Sequence, residues 1–315
     1  VTTALDDFDL PLEPLGHSLP NVEHETWEPD GGAVSVREIQ PKPASEWEPE
    51  PNGTIYSDVH VIQAAAPAAR SHTPTMTRYV LISGGDRGIG AATARAFYAA
   101  GYRVAILYHS NEAAARALLK ELPGCIAVQC DVSDRASCDA AFRAVEQTLG
   151  RVDVLVCNAG IAQQKLFTDI TPAEWQRMLD VNLTGAFNLC QLALPGMIRR
   201  RWGRILTVSS MWGQIGGSCE VHYSAAKAGL IGLTKALAKE EGPSGVTANC
   251  VAPGVIETDM MASFSAEDKA VLAEETPTGR LGTPEEVAAM LVYLAGENAG
   301  FITGQVFGVN GGLVI

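Results

Sequence analysis

The sequence predicts an α/β fold: a doubly wound parallel sheet of about seven strands, in a single domain behind a disordered front segment. Three observations predict it. From residue 78 onward, short apolar runs alternate with longer amphipathic stretches, the pattern of strands covered by helices on both faces. Hydrophobic residues make up 47% of the 315, enough for a sizeable core. The glycine-rich and polar motifs fall directly after apolar runs, at the edge where open α/β sheets bind ligands.

Residues 1–76 are rich in Pro, Glu and Asp, lack sustained periodicity, and are expected to be disordered. Apolar islands such as Tyr56 to Ile62 are too few for a core. Met76 is the first methionine and stands immediately before the first clear strand. The natural domain is therefore expected to begin there, with 77–315 as the folded unit and the segment before it an upstream extension or a fragment of something larger, rather than an acidic docking tail. Strands are expected at 78–83, 103–108, 125–130, 153–157, 204–209, 246–251 and 305–309. Helices are expected at 88–101, 111–122, 135–149, 172–200, 223–242 and 283–296, joined by right-handed crossovers. The interval 258–280 is polar and irregular and reads as a flexible cover near the strand ends.

The net charge of -13 is unevenly placed. Residues 1–77 hold thirteen acids against Arg37, Lys42 and Arg70, which leaves -3 for the remainder. No basic footprint for nucleic acid appears. The one basic cluster, Arg199-Arg200-Arg201 with Arg204, follows an apolar helix and complements its C-terminal dipole. Seven singly scattered cysteines suit reduced, buried thiols, and no ligand spacing for a metal occurs. No run is long and apolar enough to span a bilayer, so a soluble, cytoplasmic protein is expected.

After the first strand comes Ser83-Gly84-Gly85-Asp86-Arg87-Gly88-Ile89-Gly90, opening a helix. Glycines let the backbone approach a pyrophosphate, and the helix N-terminus offers free N–H groups, as in Rossmann-like dinucleotide sites. A site for NAD usually carries an acid at the end of the second strand. Here that region reads Leu107-Tyr108-His109-Ser110-Asn111. Arg87 facing a 2′-phosphate, with Ser110 or Asn111 as donors, favours NADP(H). Asp131, before Val132, stands where a carboxylate reaches an adenine amino group. Asn158-Ala159-Gly160 is small enough for backbone contact. After the sixth strand, Pro253-Gly254 precedes Ile256 and Thr258, which would contact the carboxamide side of a nicotinamide.

Between Ser209 and Lys227 lies the stretch that carries the chemistry. Tyr223 and Lys227 are four apart on one helix face. Free tyrosine has a pKa of about 10, and a nearby cation favours the phenolate. Such a tyrosine can give a proton to a carbonyl oxygen. Ser210, at the strand end, could hold the same oxygen, with Ser209 as the competing serine. Taken alone, the Tyr and Lys pair describes only a buried ring and a snorkelling cation.

These residues together resemble the short-chain dehydrogenase/reductase superfamily. The glycine loop, Asp131-Val132, Asn158-Ala159-Gly160, Asn182, Ser210, Tyr223, Lys227 and Pro253-Gly254 carry the resemblance, which covers residues 78–315. Within it the chain is most similar to β-ketoacyl-acyl carrier protein reductases, through residues 252–260 and the closing stretch 302–312. Ser83 replaces the usual Thr and Cys157 a common Asn. A narrower similarity, through residues 158–167 and 209–223, is to the reductases that finish the lysine modification of bacterial elongation factor P.

The resemblance implies hydride transfer from NADPH to a ketone carbon, with Tyr223 as proton donor. Lys227 would lower the phenol's pKa and hold the ribose, and Ser210 would bond the carbonyl oxygen. Asn182 would anchor a water chain to Lys227. The implied substrate rides on acyl carrier protein or, alternatively, is the 5-aminopentanone of elongation factor P. A non-catalytic nucleotide-binding regulator is the remoter reading. Gln163, Gln164, Trp212, Gln214 and Glu220 should line the approach. Glu220 is either a solvated loop acid or a seat for a cationic amine. Arg199–Arg204 is the best patch for an acidic carrier. A homotetramer through the 172–200 and 223–242 helices is implied as well.

Overall fold

The protein is described by a computed structural model over residues 61–63, 77–261 and 264–315. Eight strands form one sheet in the order Val61–Gln63 (β1), Ile126–Gln129 (β4), Arg103–Tyr108 (β3), Tyr79–Ser83 (β2), Val154–Cys157 (β5), Gly203–Val208 (β6), Val246–Pro253 (β7) and Val306–Val309 (β8). All neighbours are parallel except β1 and β4. The central strands are near-continuous apolar runs because both faces are covered. Alternation along β2 shows it: Val80 and Ile82 pack on one side with Phe97 and Leu291, while Leu81 packs on the other with Leu107, Leu155 and Ile205. The winding reverses at β2, whose neighbours β3 and β5 carry the chain in opposite directions across the sheet. That reversal opens a crevice at the strands' C-terminal edge.

The helices are Gly88–Ala99 (α1), Glu112–Glu121 (α2), Arg135–Leu149 (α3), Pro172–Leu179 (α4), Gly185–Arg200 (α5), Trp212–Ile215 (α6), Val221–Glu241 (α7), Ala266–Glu275 (α8) and Pro284–Ala295 (α9). Among the described residues no helix is long and apolar enough to cross a membrane. All seven cysteines are free thiols and six are buried, in line with the expectation from their spacing.

Three differences from the sequence reading stand out. The helix expected over 172–200 is interrupted by a wider π turn, Asp180–Thr184, which contains Asn182. Such turns insert a residue and re-aim a side chain, and they concentrate at functional sites. The cover expected to be irregular contains α8, which starts with a capping box between Ser265 and Asp268. It has no buried residue, so no apolar period betrays it. Finally, β1 arises inside the stretch expected to lack structure: Val61, Ile62 and Gln63 pair antiparallel with Val128, Ala127 and Ile126. Edge pairing supplies backbone bonds that no side-chain pattern announces. The rest of the segment 1–76 lies outside the described residues.

Candidate active site

The loops after β2 and β5 are stitched together at the crevice. Ser83 Oγ accepts from the backbone N–H groups of Asn158 and Ala159, both at 3.0 Å. Asn158 Nδ2 donates to the carbonyl oxygens of Ser83 and Gly84, again at 3.0 Å. Thus Asn158 works here as a brace for the glycine loop. Gly84 takes φ 61, a left-handed conformation that a side chain would strain. At the start of α1 no side chain caps the helix and its first turn holds no acid. Its N–H groups are therefore open to an anion. Arg87 is exposed beside them. Thr258 lies over this loop, since a Cβ on Gly88 would stand 3.5 Å from its Cγ2. The set fits the pyrophosphate of a dinucleotide.

Beyond β3, Ser110 and Asn111 are exposed. Asn111 Oδ1 caps α2 by accepting from Ala114 N–H at 3.1 Å, which leaves only Nδ2 as a donor. Asp131 Oδ1 accepts from the Ser133 backbone and hydroxyl at 3.0 and 2.6 Å. Its Oδ2 lies 3.6 Å from His109 and 3.7 Å from Arg177. Burial pushes this carboxyl up, but the Ser133 bonds with Arg177 and His109 outweigh it and hold it below its ordinary value. At Asp86, burial wins and raises the carboxyl. Val132 is packed against Gly185, where an added Cβ would meet its Cγ2 at 2.7 Å. Ile256 is turned into the core beside Gly282, so only its backbone can face a ligand. Met211 N–H donates to the Pro253 carbonyl at 2.9 Å, and Gly254 packs on Asn310, which ties the edge of β7 in place.

Ser210, Tyr223, Lys227 and Asn182 converge. Ser210 Oγ accepts from Trp212 N–H at 3.2 Å, so its proton is directed elsewhere. The Ser210 hydroxyl acts on the Tyr223 phenol and favours its ionised form. Lys227 Nζ lies 5.7 Å from the Tyr223 ring centroid and donates to the Val208 carbonyl at 2.8 Å. Asn182 Nδ2 donates to the carbonyls of Ile161 and Met178 at 3.0 Å. Gly160 joins the two: a Cβ there would stand 2.7 Å from Asn182 Oδ1 and 3.3 Å from Lys227 Nζ. The sequence argument expected the cation to make the phenol more acidic. Instead burial pushes Tyr223 up to about 12, Ser210 pulls it down and the Glu220 charge pushes it further up. Burial also pulls Lys227 down to about 8. Desolvation is the largest influence on each group.

The expected lining is only partly free. Gln163 is engaged by Glu174 at 2.9 Å and by His222 at 3.0 Å. Trp212 is half-buried with Gly217 packed on its ring, and Gln214 is exposed. Half-buried Glu220 accepts one long bond, from Gln164 at 3.4 Å, and burial raises its carboxyl. The segment from Glu257 to Glu275, which includes α8, carries six acids and one lysine. The basic cluster expected to dock a carrier lies at the C-terminal end of α5. Arg199 and Arg200 close the last turn of α5, a 16-residue helix, about 24 Å from the end at Gly185. Arg204 is buried against the Trp202 ring. The sequence assigns no role to Ser83, His109, Arg177 or His222, because each acts on a neighbour brought close only by folding.

The chain is similar to known reductases. A family model described as enoyl-(acyl carrier protein) reductase matches residues 84–314. An acetoacetyl-CoA reductase of Rhizobium meliloti (strain 1021) is 46% identical over 241 residues, 75% of this chain and 98% of that protein. A 3-oxoacyl-acyl-carrier-protein reductase of Aquifex aeolicus is 44% identical over 238 residues, 74% of this chain and 96% of that one. Another of that name, from Mycobacterium bovis, is 38% identical over 240 residues, 76% and 94% of the two chains.

Proposed function

The chain belongs to the short-chain dehydrogenase/reductase family, oxidoreductases acting on carbinol and carbonyl groups, and on that premise we propose that it reduces a ketone to a secondary alcohol, with NADPH as cofactor and Tyr223 as proton donor. The observation that carries the reading is the meeting of Ser210, Tyr223, Lys227 and Asn182 at the crevice beside the open N-terminus of α1. NADPH, when bound, supplies the hydride. Arg87, Ser110 and Asn111 Nδ2 would hold its 2′-phosphate, and Asp131 and Val132 its adenine. The backbones of residues 84–90, 158–160 and 253–256 and the Thr258 side chain would hold the rest.

As the carbonyl carbon gains its hydride, the π pair moves to oxygen. Ser210 donates a hydrogen bond to that oxygen, where charge develops. Tyr223 gives it the phenolic proton. The phenol is fully protonated at neutral pH, so the donor is always in its acid form. Lys227 stabilises the phenolate at the moment it forms and then restores its proton. Gly160 packs closely against both Asn182 Oδ1 and Lys227 Nζ, and Asn182 would anchor the water chain that resupplies the lysine.

The substrate in this reading is a 3-oxoacyl thioester, as the names of the relatives suggest, carried on acyl carrier protein. A second reading, the 5-aminopentanone group of elongation factor P, is favoured by Glu220, a half-buried acid close enough to press on the Tyr223 phenol, and by the acidic cover. Exposed Phe187 and Ile198 on α5 and Val221 on α7 support assembly as a homotetramer. The test follows NADPH absorbance with acetoacetyl thioester and with ketone-bearing elongation factor P. Turnover of neither, or turnover unchanged in Tyr223→Phe, overturns the proposal and leaves a nucleotide-binding regulator.

A further inference from the structure

Tyr223 occupies the third position of α7, in a turn with no side-chain cap, because the side chain of Glu220 at the N-cap does not bond the helix. First turns are the part of a helix that frays, since their N–H groups have no intrahelical partner. A proton donor placed there needs an outside hold.

The hold comes from three consecutive residues after β5. Lys165 N–H donates to the Cys219 carbonyl at 2.7 Å. Gln164 Nε2 donates to Glu220 Oε1 at 3.4 Å. Gln163 Oε1 meets His222 Nε2 at 3.0 Å. The segment 163–165 therefore runs as a strap along the turn 219–222, with Cys219 held at φ 62.

His222 is the rung next to Tyr223 along the chain and it is fully buried. Its protonation pattern can be deduced. Lys165 Nζ donates to both oxygens of Glu174 at 2.8 Å. That carboxylate, held well below its ordinary pKa by Lys165 and the Thr171 turn, accepts from Gln163 Nε2 at 2.9 Å. Gln163 must then present its carbonyl oxygen to His222, so the imidazole proton is on Nε2. Nδ1 is left buried with no hydrogen-bond partner. A buried polar atom without a partner is costly. Burial also pulls the imidazole below its ordinary pKa.

We infer that His222 is a positioning residue for Tyr223. Its Nε2–H, oriented by the chain Lys165–Glu174–Gln163, fixes the first turn of α7 and with it the phenol. The inference rests on Tyr223 being the proton donor. Leucine at position 222 keeps the bulk and removes the orphaned Nδ1, but cannot bond Gln163. Glutamine at 222 can again place an N–H on that oxygen.

The experiment measures ketone reduction and NADPH binding by full-length protein carrying His222→Leu, His222→Gln, Gln163→Leu or Tyr223→Phe. His222→Leu is expected to lower kcat about tenfold, with the Kd for NADPH unchanged. His222→Gln should restore kcat to within about threefold of the parent, and Gln163→Leu should match His222→Leu. Should His222→Leu fail to fold, Gln163→Leu at the half-buried partner carries the test. A kcat within twofold of the parent in both leucine variants, or a loss that His222→Gln leaves unrescued, overturns the inference. Full activity in Tyr223→Phe overturns the underlying reading instead.

Discussion

Ser209 and Lys227 share a hydrogen bond that Ser210 does not: Ser209 Oγ donates to the Lys227 carbonyl oxygen at 2.8 Å. The two adjacent serines at the end of β6 thereby divide their work. Ser209 anchors the backbone of α7, and Ser210 acts on the Tyr223 phenol. Ser210→Ala should lower kcat by roughly 10²- to 10³-fold, the usual loss for one donor to a developing oxyanion, and leave the melting temperature near the parent's. Ser209→Ala should do the reverse, costing about 1 kcal/mol of stability with most activity retained. Steady-state kinetics and thermal unfolding of the two variants check the division.

Buried Lys227 predicts a rise of stability with alkaline pH. Its folded pKa of about 8 lies below the ordinary lysine value. Between those values the unfolded chain binds more protons, so stability grows as pH rises through that window. Below it the full burial penalty, on the order of 3 kcal/mol, is present. Tyr223 acts oppositely above its ordinary value, because the folded form holds its proton up to about 12. Denaturant unfolding from pH 7.5 to 10 should show the rise in the parent and a flatter curve in Lys227→Met.

Exposed Arg87 predicts the cofactor preference. Arg87→Ala should raise KM for NADPH roughly tenfold, the scale of one charge-assisted contact. KM for NADH should stay unchanged, since it lacks the phosphate. Equal losses for both would place Arg87 on the shared pyrophosphate.

Gly160 predicts a variant that folds but works poorly. The added methyl of Gly160→Ala would press on Asn182 Oδ1 and stand beside Lys227 Nζ. It would push both groups from their present positions. Turnover should fall more than tenfold while NADPH still binds, a split readable by titrating cofactor fluorescence alongside activity.

Glu220 predicts the direction of specificity. Glu220→Gln removes a carboxylate with little change of shape. Reduction of an amine-bearing ketone should drop about tenfold or more, the worth of one charged hydrogen bond. Reduction of an acetoacetyl thioester should hold or improve, since the charge that pushes the Tyr223 phenol up is gone. Competition between the two substrates in one reaction reads the ratio directly.

The sequence by itself determined the alternation of strand and helix, the position of each central strand, and the four residues that meet at the crevice. These were legible because apolar period and glycine placement are local, repeated along the chain, and set by burial on both faces of one sheet. What only the tertiary structure decided is what each group feels. The π turn at Asn182, the exposed helix α8 and edge strand β1 have no strong local pattern to announce them. The Tyr223 pKa came out opposite in direction to the sequence argument, because the spacing of a phenol and an ammonium says nothing about how much water each loses. The rungs from Gln163, Gln164 and Lys165 to the turn 219–222 join residues more than fifty apart in the chain. Desolvation and long-range hydrogen bonds depend on all the atoms packed around a group, and that packing exists only once the chain has folded.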